Sequence, residues 1–563
     1  MEFTYEISKE VRNSGSAEEL SRFKYIEGQL KSFGLETSLT FSDAFISLPL
    51  ESQFFLEGKE YPCITTSMAA PTGEAGFEEE LVFAGDLKGL DELGSRVVGK
   101  IVVFHGFAGR VQVQKAEQAG AKACIFINGE HLHNMIVSPV WGNPTSKTVD
   151  LIPRIHVINV DQWTGEKIIE ACKAGKKGRM ITRVDEGWRK IPTLIAEIKG
   201  ETEPENFILF SGHVDSWHYG AMDNASANAV MMEVGRILAK QPLRRTLRLA
   251  FWSGHSHGRY AGSQAYFDNH FQEIYDHCYM HINIDSVGAK GASVVTEGNI
   301  MALTKKLAKK IVKEETNQDF IGKPFGRNGD QSFWGAGVPS AFMSFSGQRM
   351  PEEPENRDTH YMIHQFDNGP ESSGFGWWWH TKEDTIDKID AKNLERDARV
   401  FLAFVYRACN DAIIPLDVQA GAEELSEIIQ AYIEKAEKHL PVEDLKISLS
   451  IFTDTVKKVQ GMIDDNIELS DKRVLNKAVH ILARIIVRLM QVNTSMFDPD
   501  PAMKMPTVPL LSLIHQLEQN KVDEHEYLML LTELKRRINQ VSFILRKGAE
   551  EAEITLYKFN ERG

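Results

Sequence analysis

The chain has 563 residues, 42% hydrophobic and 25% charged, which is ordinary for a globular protein but too long for one core, so two to four domains are expected. A net charge of −15, with no basic stripe interleaved with aromatics, argues against nucleic acid as a partner. The start, Met1-Glu2-Phe3-Thr4-Tyr5-Glu6, is not a basic stretch leading into an apolar run. No segment approaches the roughly 18 uncharged apolar residues of a membrane span, so neither a signal peptide nor a membrane partner is expected. Cys63, Cys124, Cys172, Cys278 and Cys409 form no CxxC pair and read as reduced thiols of a cytoplasmic protein.

In chain order, Ala17–Phe33 has helical apolar spacing at Leu20, Phe23, Ile26 and Leu30, and Gly34 closes it. Leu35–Phe41 then alternates like a strand. From 51 to 190 the texture is short strands and turns, with predicted strands at Gly99–His105, Ala123–Asn128 and Ile152–Val157 and helices through Gln112–Ala121 and Trp163–Lys173. From 191 to 415 strand and helix alternate regularly. Strand 207–212 leads to helix 224–240, Thr246–Ser253 to Ala261–Phe271, and Cys278–Asp285 to Ile300–Glu315. Ser340–Ser344 is followed by a long loop, and Ala391–Cys409 closes the series. The alternation predicts an α/β fold, a mostly parallel sheet with helices on both faces. After Pro415, segments 422–440, 443–465, 470–494, 508–519 and 523–557 carry helical periodicity. This helical end reads equally as a bundle packed on itself or as an oligomerisation module.

Such sheets place ligands at the carboxyl ends of their strands. Phe207-Ile208-Leu209-Phe210 delivers His213 and Asp215 to such an end, and Asp223 opens the following helix. His255, Asp285 and His380 also fall at strand ends or in the loops just after them. Imidazoles and carboxylates so placed point to a metal centre. The plainer reading is a loop histidine and a helix-capping aspartate.

Four segments stand in order: Gly212-His213-Val214-Asp215-Ser216 with Asp223; Phe251-Trp252-Ser253-Gly254-His255-Ser256-His257-Gly258; Asn283-Ile284-Asp285; and His380-Thr381-Lys382-Glu383-Asp384-Thr385. Together they resemble the zinc aminopeptidase and glutamate carboxypeptidase family over most of residues 1–415. The resemblance implies a catalytic domain in 1–50 and 191–415 and a protease-associated insert at 51–190. It also implies a helical domain at 416–563 like the dimerisation domain of the carboxypeptidase and transferrin-receptor branch, hence a homodimer. It further implies a two-metal site in which His213 and Asp285 bind one ion, Asp223 bridges and His380 binds the second. Asp215 would orient His213, and Gln331 stands where an oxyanion-stabilising side chain is expected.

The family has two adjacent glutamates, a general base and a ligand, where this chain has His255 and Ser256, followed by His257. Three readings follow. The chain has lost its chemistry and is a binding or scaffold relative. Or one of His255 and His257 binds the second metal while the other is the base. Or one metal remains on His213, Asp223 and Asp285, with His255 and His380 as acid and base. Arg259 and Arg357, each otherwise a solvated surface charge, are candidates to hold an anionic substrate group, and Trp217 to line the pocket. His218 reads equally as facing the site or as a surface-loop histidine, and His360 and His364 read as loop histidines.

The expected function is a divalent-metal hydrolase, with one or two ions, zinc first, though cobalt, manganese, nickel and iron share such donors. Its expected substrate is a small amide, peptide-like or carbamoyl compound. A metal-dependent lyase or isomerase on the same scaffold is the alternative.

Overall fold

The computed structural model describes residues 1–366, 368–465, 472–517 and 523–560. Twelve strands form one sheet: β1 (Glu36–Leu56), β2 (Lys59–Tyr61), β3 (Cys63–Thr65), β4 (Phe77–Gly85), β5 (Ile101–His105), β6 (Ala123–Ile127), β7 (His156–Val160), β8 (Lys177–Ile198), β9 (Glu203–His213), β10 (Arg245–Trp252), β11 (Cys278–Asn283) and β12 (Ser340–Ala341). Their order is β12-β11-β9-β10-β8-β4-β5-β6-β7-β3, with β1 on β8 and β2 on β1. The strands β12, β11, β9 and β10 are parallel, and so are β4 to β7. The fold is therefore the mostly parallel α/β sheet expected, followed by helices.

The apolar run in β9 shows why this half forms. Ile208 and Phe210 face one side, in a core with Met231 and Val234 of helix Ala227–Leu238 and Phe401 of helix Ala391–Asn410. Phe207 and Leu209 face the other, against Tyr266 and Phe267 of helix Ala261–His277. A strand buried on both faces needs no polar alternation, and each such side chain contributes about 1.5–3 kcal/mol. Helix ends carry their own stops: Ser16 caps Ala17–Ser32, Asp390 caps Ala391–Asn410, and Gly34 takes the left-handed φ of 93°.

Two expectations change in extent. The strand after Gly34 runs to Leu56, because β1 pairs with β8 from Glu36 to Leu56, interrupted only between Pro49 and Ser52. Together they form a ribbon that passes from the β9–β12 half to the β4–β7 half. Residues 347–379, expected as a loop, contain the helix Arg357–Gln365, capped by Asn356, and a small ribbon of Gln348–Arg349 with Ser372–Gly374.

The helical end contains Val418–Ala436, Glu443–Asp464, Lys472–Gln491, Ile514–Leu517 and Glu524–Asn560. The expected ends at 470–471 and 518–519 lie outside the described residues. Lys472–Gln491 is buried around most of its circumference and shares the core of the β9–β12 half. Asn476 accepts from the Ile414 amide (2.8 Å) and Arg484 donates to the Tyr275 carbonyl (3.0 Å), which ties this helix to the sheet. No helix among the described residues is long and apolar enough to cross a membrane.

Candidate metal centre

Strand β9 ends on His213, which is buried. Its Nδ1 donates to the Asp215 carbonyl at 2.9 Å. A carbonyl can only accept, so in the neutral ring Nε2 carries a lone pair. Nε2 lies 3.1 Å from Asp223 Oδ1 and 3.6 Å from Asp285 Oδ2, yet has no hydrogen-bond partner of acceptable geometry. His380 repeats the pattern: Nδ1 donates to the Asn134 carbonyl at 2.7 Å, and Nε2 lies 3.1 Å from Asp223 Oδ2. Asp223 thus faces one imidazole with each oxygen. The sequence places it at the helix start, but the helix begins only at Ala227; Asp223 lies in an irregular turn, Ala221–Ser226, with extended φ and ψ of −111° and 84°.

His255 follows β10 and stacks on His213, ring centroids 3.7 Å apart and planes 10° apart. Its Nδ1 is 2.9 Å from Asp330 Oδ2. Donor atoms of His213, His255 and Asp285 all lie within 4.8 Å of one another, the one such trio among the described residues. Lone pairs aimed at carboxylates repel unless a cation stands between them. Burial opposes charge on His213, but Asp215, Asp223 and Asp285 outweigh it and hold its pKa well above the ordinary value. Burial likewise works against ionised Asp223, but His213 and His380 pull its pKa well below the carboxylate range. An orphaned buried nitrogen among hard oxygen donors fits a divalent ion of the zinc type.

The surroundings hold these groups in place. Asp215 accepts from Ser14 Oγ (2.7 Å) and from the amides of Ser256 (2.8 Å) and His255 (3.3 Å), which fixes the turn carrying His255. Asp384 accepts from the amides of Met222 (2.8 Å) and Asp223 (3.0 Å). Asp330 accepts from Ser263 Oγ at 2.7 Å on its other oxygen. Arg12, fully buried, donates to the carbonyls of Val214, Tyr219 and Gly220 and pins the loop between His213 and Asp223. Sequence reasoning missed Arg12, Ser14, Asp330 and Asp384. The Asp next to Gln331 was in view, but only its neighbour was assigned a role.

The remaining expected residues divide. Trp217 packs against His257 (4.4 Å between centroids) and His380 (5.5 Å), beside the cluster. His257 Nδ1 lies 2.9 Å from Ser14 Oγ and 3.9 Å from Asp215 Oδ2; burial lowers its pKa to about 4. Gln331 is turned to the sheet interior, donating to the Phe342 carbonyl at 3.4 Å, so an oxyanion role has no support in its geometry. Arg259 donates from Nε to the Ser138 carbonyl (3.0 Å) and from Nη2 to the Ile136 carbonyl (2.5 Å), so part of its guanidinium serves the backbone of 136–138. Arg357 sits on an exposed helix start, 3.6 Å from Glu166, and is not brought to the cluster. His218 bonds Asn134 Oδ1 (2.9 Å), while His360 and His364 meet edge-on in Arg357–Gln365.

Residues 193–405 match peptidase family M28. Over this segment the chain is similar to that peptidase family. It is 24% identical over 371 residues to carboxypeptidase Q of Mus musculus, covering 62% of this chain and 71% of that protein. Aminopeptidase YwaD of Bacillus subtilis (strain 168) is 24% identical over 395 residues, 68% of this chain and 73% of the relative. Among solved structures, BSAP, a zinc aminopeptidase from Bacillus subtilis, aligns with a TM-score of 0.54 at 22% identity, over 73% of this chain and 95% of that one. A peptidase M28 precursor from Shewanella amazonensis SB2B aligns with a TM-score of 0.57 at 18% identity, over 73% and 94%. These structural likenesses establish the fold of the M28 segment and of the sheet that surrounds it.

Proposed function

We propose that the chain is a metal-dependent hydrolase of small amide or peptide-like compounds, with zinc as the ion and His213, Asp223, Asp285 and His380 as candidate ligands. One observation carries this reading: buried His213 Nε2, its hydrogen displaced to Nδ1 by the Asp215 carbonyl, faces two carboxylates without a hydrogen bond. Relatives named aminopeptidase, carboxypeptidase and zinc aminopeptidase support the substrate class and the metal. When bound, such an ion polarises a carbonyl and activates water.

The chain's own residues supply the rest. Asp330 holds the His255 ring over His213, and Asp215 holds the turn beneath it. Trp217 and Trp379, which stacks on His380 at 3.4 Å, wall the cluster and exclude water. His255 Nε2, beside His213, is the basic atom that can receive a proton. His257, bonded to Ser14 and buried, is a positioning residue of the same turn.

A cavity of about 740 Å³, a size suited to a small ligand, is lined by residues of the 294–375 segment and of the helical end and by none of the cluster residues. Its wall includes Ser344, paired with Asp285, and Asn328, two residues before Asp330. Arg110 of the proposed insert lines it and makes no hydrogen bond or ion pair among the described residues; its Nε is shielded from solvent. Tyr260, which acts on the Arg110 charge, packs edge-on to His255 at 5.0 Å. An unpaired, half-buried guanidinium in this wall favours a substrate with a carboxylate at one end. The proposed units 51–190 and 416–563 would both then shape the pocket, and homodimerisation and a cytoplasmic location remain part of this proposal.

The test is direct. Chelator-stripped protein should lack amide hydrolysis and regain it with zinc, and product should carry oxygen from labelled water. Product without label would make the chain a lyase, and no turnover of any amide by the zinc-loaded protein would refute the reading.

A further inference from the structure

Trp141 lies in the proposed insert, yet its buried indole is tied to the turn that carries His255. Its Nε1 donates to Ser332 Oγ at 2.9 Å. Ser332 Oγ lies 3.0 Å from Ser263 Oγ, which donates to Asp330 Oδ1 at 2.7 Å. Asp330 Oδ2 lies 2.9 Å from His255 Nδ1. Trp141, Ser332, Ser263 and Asp330 are all buried, so the chain is shielded from solvent along its length.

The direction of this chain follows from its two ends. An indole N–H can only donate and a carboxylate can only accept. Ser263 gives its hydrogen to Asp330, since its other acceptor, the Tyr260 carbonyl, is farther away at 3.2 Å. It must then accept from Ser332, and Ser332 in turn accepts from Trp141. Every hydrogen points toward Asp330, and hydrogen bonds aligned in one sense strengthen one another. The second carboxylate oxygen takes the hydrogen of His255 Nδ1, which leaves the lone pair on Nε2.

The backbone of the same turn also depends on this part of the proposed insert. Arg259 and Tyr260 take left-handed φ values of 46° and 69°, a region disfavoured for residues with a Cβ. Residues 136–142 hold them there. The Gly142 amide donates to the Arg259 carbonyl at 2.7 Å, and the Arg259 side chain donates to the Ile136 and Ser138 carbonyls. The Trp141 ring packs on Tyr260 with centroids 4.4 Å apart, and Tyr260 meets His255 edge-on at 5.0 Å. Trp141 thus reaches His255 by a polar route and by a ring contact.

We propose that Trp141 is a positioning residue for His255, acting through Ser332, Ser263 and Asp330 to keep the hydrogen on Nδ1 and the lone pair on Nε2. The proposed insert then helps set the proton-accepting atom of the site. Use of that lone pair in proton transfer rests on the hydrolase reading above, whereas the tautomer does not.

Nitrogen-15 NMR of the histidine-labelled, zinc-loaded full chain reads the tautomer, at a pH above the imidazole range and with His255 assigned by its absence from His255→Gln. The wild type should carry the hydrogen on Nδ1. Trp141→Phe keeps a ring against Tyr260 but removes the donor, and both ring-nitrogen shifts of His255 should move toward a mixture of tautomers. Ser263→Ala, which cuts the chain next to Asp330, should move them further. The same two variants should lower kcat about 3- to 10-fold and about 10- to 30-fold, with KM within about twofold. The double variant should be no worse than Ser263→Ala, because the chain is already cut. Unmoved His255 shifts in Trp141→Phe, or kcat losses that multiply in the double variant, would overturn the assignment. Moved shifts in protein that turns over no amide would keep the chain and refute the hydrolase.

Discussion

Asp330 Oδ2 lies 2.9 Å from His255 Nδ1, although 75 residues separate them in the chain. The pair joins the loop before β12 to the turn after β10, the turn in which this chain differs from the family it resembles. A double-mutant cycle should therefore find them coupled. Asp330→Ala and His255→Ala should each lower zinc-dependent turnover by at least about 10-fold, and the double variant should be little worse than the more damaging single one. Losses that multiply would show that the two residues act independently.

Arg110 should decide between charged and neutral substrates. Arg110→Met is expected to raise KM about 10- to 100-fold for an amide with a terminal carboxylate, with little change for its uncharged amide counterpart. An equal effect on both would mean that Arg110 shapes the cavity without reading charge.

Asp358 is a buried anchor between residues 347–379 and the β4–β7 half. It accepts from the amides of Glu130 (3.0 Å) and His131 (3.2 Å) and from His131 Nδ1 (2.9 Å). Asp358→Ala removes the one oxygen that accepts all three bonds and should cost roughly 2–4 kcal/mol of local stability. Amide hydrogen exchange should then accelerate across Arg357–Gln365 and 129–134, with helix Ala391–Asn410 unaffected. Unaltered exchange at Arg357–Gln365 would dismiss the anchor.

Buried histidines set an acid limit. Burial lowers the pKa of His281 to about 4 and of His480 well below the usual imidazole value. The unfolded chain takes up these protons near pH 6.5, whereas the folded chain does not. Stability is therefore complete above that pH and declines as pH falls from about 6.5 toward 4, by up to ~1.4 kcal/mol per unit for each group. His480→Phe should move the acid-unfolding midpoint to lower pH in a circular dichroism titration. An unmoved midpoint would exclude His480 as a contributor.

The β9–β12 half was legible because its strands are uninterrupted apolar runs, and His213, Asp223, Asp285 and His380 because they sit at the ends of those runs. Their convergence on one another followed from the family motif as well as from strand order. Arg12, Ser14, Asp330 and Asp384 were not legible, since each acts through contacts spanning tens to hundreds of residues and leaves no local period. Ser14 meets His257 across 243 residues. The helix at Arg357–Gln365 was hidden in a polar stretch, and its placement depends on Asp358 finding donors on another part of the sheet. Arg259 misled for the complementary reason: a cation near a strand end also serves backbone carbonyls.

The paired strands β1 and β8 run as one beam through both halves of the molecule, with a single discontinuity between Pro49 and Ser52. Access to Arg110 and to the imidazoles therefore does not depend on a free hinge at this seam. Any gaping of one half from the other must twist that beam.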